Sequence, residues 1–128
     1  MIKPWGKIQQ QYEEIAEIHP YMSSMRDFVR HIAQGDLGQA LFAWTSMHDL
    51  CIVQTRVQHP YIGPYLKVSP LKSGEIEFRY VDTYVDERQW VRTVPGGDAI
   101  QRLHQFIEQL HWEVREVAFN HSLQARRP

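Results

Sequence analysis

Cysteine is almost absent. Cys51 is the only one among 128 residues, so no disulfide can form within the chain. A lone thiol fits a reducing compartment. No apolar run approaches the roughly 18 residues of a membrane span, and the opening Met1–Lys7 is not followed by the apolar stretch of a secretory leader. Excess charge of either sign is missing too: 14 Lys and Arg face 15 Asp and Glu, for a formal net charge of −1. That balance argues against a nucleic-acid-binding domain, which concentrates basic residues on one face. Catalytic signatures are absent as well. There is no Gly-x-Ser-x-Gly elbow, no Walker-type phosphate loop and no His-Glu-x-x-His zinc motif. The expectation from these absences is a cytoplasmic domain that needs no cofactor and engages neither nucleic acid nor membrane.

What is present suits a single folded domain spanning residues 1–128. Hydrophobic residues make up 43% and charged residues 23%, the ordinary balance of a globular chain. A chain of this length buries about two thirds of the surface it exposes when unfolded, so it can fold without metals or disulfides. Aromatics are plentiful, with four Trp, six Tyr and five Phe. They supply core area and also anchor interfaces.

Periodicity gives the element order. Trp5, Ile8, Tyr12, Ile15 and Ile18 recur at helical spacing over residues 4–18, and His19-Pro20 ends that run. Met22, Met25, Phe28, Val29 and Ile32 form the face of a second helix over about Ser23–Ala33. Ser23 or Ser24 is its expected N-cap and Gly35 its expected C-cap. Gly35–Gly38 reads as a turn. Residues 41–46 and 50–57 then read as a hairpin around Met47-His48-Asp49, although residues 39–44 also suit a short helix. Residues 58–64 carry two Pro and one Gly and read as a loop. Strands are expected at 65–69, 75–81 and 89–94. Ile76, Phe78 and Tyr80 point one way there, and Glu75, Glu77 and Arg79 the other. Asp98 and Gln101 match a capping box for a last helix, whose face is Ile100, Leu103, Phe106, Ile107, Leu110, Val114 and Val117. Residues 120–128 are expected to be a loose tail. Strands segregated from helices, with short connections, predict an α+β fold. It comprises an antiparallel meander of about five strands, with two N-terminal helices and one long C-terminal helix on one face.

Several groupings could carry chemistry. His104, Glu108 and His111 share one helical stripe and are the weak candidates for a metal, although no companion ligands stand at a recognised spacing. His48 beside Cys51 suggests a base and thiol. In a strand, however, residues three apart face opposite ways, and a buried thiol is inert. Asp82, Asp86 and Glu87 could hold a cation, yet lack the spacing of a calcium loop and suit a turn. Gly96-Gly97 ahead of a helix could receive an anion, but strand-to-helix turns use glycine anyway. Seven His would make the net charge positive below about pH 6.

The most suggestive pattern is the wet side of the sheet. Glu75, Glu77, Arg79, Arg88 and Trp90 mix arginine with an aromatic, as interface hot spots do. The favoured reading is therefore a non-enzymatic protein-binding module, one form of which is an immunity- or antitoxin-type protein that blocks a partner. Self-association through the first helix is a further form. The alternative is a small-molecule or enzymatic site between sheet and helices, lined by Trp44, Phe78, Tyr80 and Phe106. A filled interior would favour the first and an open pocket the second.

Overall fold

The computed structural model describes residues 1–55, 63–82 and 84–112. The expected loop at 58–64 falls mostly outside these residues, and Val114, Val117 and the expected tail at 120–128 fall wholly outside.

The fold is α+β. Helices α1 (Trp5–Ile18), α2 (Ser23–Gln34) and a short α3 (Leu37–Ala40) precede five strands: β1 (Phe42–Ser46), β2 (Asp49–Val53), β3 (Tyr65–Pro70), β4 (Ile76–Val81) and β5 (Trp90–Val94). Helix α4 (Ala99–Gln109) follows. The strands form one open antiparallel sheet in the order β1-β2-β3-β4-β5. The alternatives for residues 39–46 are thus both realised in part: Leu37–Ala40 is helical and Phe42–Ser46 is strand.

The helices cover one side of the sheet. Ala43, Leu50, Ile52, Leu66, Val68, Ile76, Phe78, Tyr80 and Val94 face them and join a single core with Ile8, Tyr12, Met25, Phe28, Ile32, Leu103 and Phe106. Phe78 sits at its centre. Its ring meets Phe28 edge-on at 5.7 Å and Phe106 at 5.0 Å. The Tyr12 hydroxyl, at the end of a fully buried side chain, donates to the His48 carbonyl at 2.8 Å. That bond ties α1 to the β1–β2 turn and satisfies a polar atom that burial would otherwise penalise.

Three local expectations are corrected. Ile18 is 73% exposed, because the buried stripe of α1 runs Ile8–Tyr12–Ala16. Two residues beyond Ala16 lies about 200° round the helix. Neither serine caps α2. A 3₁₀ turn, Pro20–Met22, feeds straight into the helix, so Met22 takes the cap position and the Ser23 hydroxyl donates back to the Pro20 carbonyl at 2.7 Å. Asp98 likewise caps nothing. The 3₁₀ turn Gly96–Asp98 runs directly into α4, and Asp98 already has helical angles there (φ −98, ψ −1).

Candidate functional site

Three of the four residues that the alternative reading placed around a pocket are buried in the core. Phe78 is 0% exposed, Tyr80 8% and Phe106 3%. Phe78 and Phe106 meet ring to ring at 5.0 Å, and Tyr80 connects to Phe106 through the Trp90 ring. Trp44 is elsewhere. Ala43 faces the helices, so Trp44 projects from the other side of β1 and lies 5.5 Å from the Tyr65 ring. The bulkier set of the strand, Phe42 and Trp44, points away from the core, and the smaller set points in.

The outer side of the sheet is built on one row of register partners. Trp44 pairs with Cys51, Cys51 with Lys67, Lys67 with Arg79 and Arg79 with Val91. Two cations therefore stand directly opposite each other, an arrangement that is unfavourable without compensation. Each leans on a carboxylate: Lys67 Nζ lies 3.4 Å from Asp49, and Arg79 Nη2 lies 3.7 Å from Glu77. Both pairs are partly solvated, with the Arg79 side chain 48% exposed, so each is worth little on its own. Val91 is 40% exposed at the end of the row. At the other end Cys51 and Val53 are buried, outside the helix-side core. Burial pushes the Cys51 thiol up to about 11, so almost none of it is thiolate at neutral pH.

Of the residues expected on the wet face, Glu75, Glu77 and Arg79 lie there or at its edge, but Trp90 does not. Trp90 pairs in register with Tyr80, stacks on its ring at 5.8 Å and meets Phe106 at 4.8 Å, all on the helix side. Arg88 is exposed in the 3₁₀ turn Asp86–Arg88 that leads into β5. Sequence reasoning missed Lys67 and Tyr65 as outer-face residues. The signal that could have found them was the alternation of β3, where Leu66 and Val68 are the buried set.

The metal candidates come apart. Helix α4 ends at Gln109, and His111 lies beyond it in a left-handed conformation (φ 56), so the stripe of His104, Glu108 and His111 is broken. Among the described residues no group of three or more His, Cys, Asp or Glu is placed to hold a metal ion. Asp82 is 4% exposed and works as turn chemistry, its carboxylate accepting from the Tyr84 and Val85 amides at 2.9 Å each. Among the described residues no helix is long and apolar enough to cross a membrane.

Among the described residues a groove opens outside the core. Ser24, Asp27, Phe28 and His31 of α2 face Gly96, Gly97, Ala99 and Ile100 across about 280 Å³. Gly96 permits the close approach: a Cβ there would collide with the Ser24 side chain and lie 2.6 Å from the Gly74 carbonyl oxygen. The groove is at or below the smallest ligand pockets, which start near 300 Å³, and Asp27 already pairs with Arg26 at 3.0 Å.

Comparison of the chain with protein-family models, with curated proteins and with solved structures finds no match, so the site stands on its geometry alone.

Proposed function

We propose that this domain is a protein-binding module that docks an acidic surface of its partner on the outer side of the sheet. The observation that carries this reading is the Lys67–Arg79 pair. Two cations stand in register on the side of the sheet away from the helices, bounded by Trp44 and by exposed Val91. Arginine and aromatic residues together are what interface cores favour. The near-complete burial of Phe78, Tyr80 and Phe106 in the core supports the same reading. An immunity-type inhibitor is one form such a module takes.

The test compares tagged wild type with a Lys67→Glu, Arg79→Glu double variant in capture from the native host, with mass spectrometry and metal analysis on the same material. The expected result is a stoichiometric protein partner bound by wild type and lost from the variant, while circular dichroism and thermal midpoint stay unchanged. A stoichiometric metal or small molecule, with no partner, overturns the reading.

A further inference from the structure

The two outer strands of the sheet, β1 and β5, can be compared amide by amide. Lys3 N–H donates to the Ala43 carbonyl at 2.9 Å, across the free edge of β1. In an antiparallel strand each residue aims its N–H and C=O to the same side, and the side alternates along the chain. Ala43 therefore faces the edge, and Phe42 and Trp44 face β2. Carried through the four registers, that alternation turns Trp90, Arg92 and Val94 toward β4 and leaves Val91 and Thr93 aimed at the free edge of β5. A separate contact agrees. The Arg92 Nη1 donates to the Val91 carbonyl at 2.9 Å, which it can reach only from the open side.

That edge carries unusual charge. The Arg92 guanidinium lies 5.4 Å from the centre of the Trp90 ring, and the Arg102 guanidinium lies 5.1 Å from that of Phe106. The two rings are 4.8 Å apart. Among the described residues neither arginine has a carboxylate partner, and Arg102 Nε is buried with no hydrogen-bond partner. Among the described residues the acidic groups nearest in sequence, Glu87 to Arg92 and Asp98 to Arg102, pair with neither arginine. An arginine folded onto its own edge carbonyl is a guard against unspecific strand pairing. Two unpaired guanidinium groups held on neighbouring rings are also a receptor for carboxylates.

We propose that the free edge of β5 docks an extended acidic segment of a partner protein by strand addition, a partner carboxylate drawing Arg92 off the Val91 carbonyl. This rests on the reading of the domain as a protein-binding module. The bond to the Val91 carbonyl carries charge on the arginine side alone, whereas a carboxylate adds its own charge and can take two arms of the guanidinium at once, so the exchange favours the incoming acid. The released Val91 carbonyl, with the N–H groups of Val91 and Thr93, then receives the added strand. A neutral strand has to displace Arg92 with nothing in return.

The test uses fluorescein-labelled peptides alternating Glu–Val, Gln–Val or Lys–Val, titrated with the full chain and followed by anisotropy. Wild type is expected to bind Glu–Val, to bind Gln–Val about tenfold more weakly and to ignore Lys–Val. Arg92→Ala removes the latch and should bring the Glu and Gln peptides to similar affinity. Arg92→Glu should shift the preference to Lys–Val. Thr93→Pro deletes an edge N–H that has no partner among the described residues, and should abolish binding with the circular dichroism spectrum intact. Equal binding of the Glu and Gln peptides by wild type, or unchanged Glu–Val binding by Thr93→Pro, overturns the proposal. So does a dimer without peptide, seen by sedimentation, that Thr93→Pro makes monomeric; the occupant would then be a second copy. If the host partner is lost with the Lys67→Glu, Arg79→Glu variant but retained by Thr93→Pro, the edge proposal falls and the binding-module reading stands.

Discussion

The two ends of this sheet are treated in opposite ways. At β1 the edge is sealed by the chain itself. Lys3 bonds the Ala43 carbonyl, the Lys3 ammonium donates to the Thr45 hydroxyl at 2.7 Å, and the Trp5 indole N–H donates to the Leu41 carbonyl at 2.9 Å. The outer face is buried on the same side, with Val53 1% and Cys51 3% exposed. At β5 no strand or arm covers the edge among the described residues, and one arginine side chain occupies a single carbonyl. Exposed edges invite association, and natural sheets close them where association is unwanted. The chain seals one edge with three separate bonds and leaves the other under one displaceable side chain, and on our proposal the second is the edge a partner uses.

Four predictions sharpen that contrast. The largest effect concerns Cys51 on the sealed side. Its raised value, about 11, makes labelling by a thiolate-selective reagent at pH 8 about a hundredfold slower than for a free cysteine. Fast labelling of the folded protein would show that the outer face there is open. The linkage has a definite sign: a thiol raised in the folded state stabilises fully below its ordinary value, and that contribution is lost as pH climbs through about 11. Second, Trp5→Ala removes both the bond to Leu41 and the packing of a half-buried indole. A stability loss of about 2 to 3 kcal/mol in urea unfolding is expected. A loss under about 0.5 kcal/mol would mean that the seal contributes little. Third, Gly96→Ala, at the exit of β5, forces a side chain against Ser24 and the Gly74 carbonyl and should cost about 1 to 2 kcal/mol. Fourth, Thr93→Pro at the open edge should change stability by no more than about 0.5 kcal/mol. A large loss there would show that the Thr93 amide is used within the fold.

The parts of this arrangement that were legible in the sequence are those set by local alternation. Ile76, Phe78 and Tyr80 are buried as their spacing requires, the face of α2 matches its apolar period, and so do Leu103, Phe106 and Ile107 of α4, which ends at Gln109, before Leu110 of the expected face. What was not legible depends on which element packs where. Phe42 and Trp44 are larger and more apolar than Ala43 and Thr45, so hydrophobicity alone would turn β1 over. The strand faces the other way because the α1 side of the sheet takes Ala43 into the core and binds Thr45 through Gln11 at 3.2 Å. Trp90 and Arg92 alternate with Val91 and Thr93, and nothing local decides between the sets; the Tyr80 and Phe106 rings do. The caps failed for a different reason. Ser23 and Asp98 have the right chemistry, but Ser23 follows a 3₁₀ turn and Asp98 ends one, so in each case the chain is already helical. The edge geometry needs strand order and hydrogen-bond alternation together, and neither is written in residue type.

The most direct measurement is an amide-resolved NMR titration of the full chain with the Glu–Val peptide. The account predicts that the largest shifts fall on the Val91 and Thr93 amides and on the Arg92 side chain, with Ala43 and Thr45 unmoved. With Val91 and Thr93 silent, shifts centred on Lys67 and Arg79 would contradict the edge proposal and leave the outer-face reading standing, and shifts on Ser24 and His31 in the groove would contradict both.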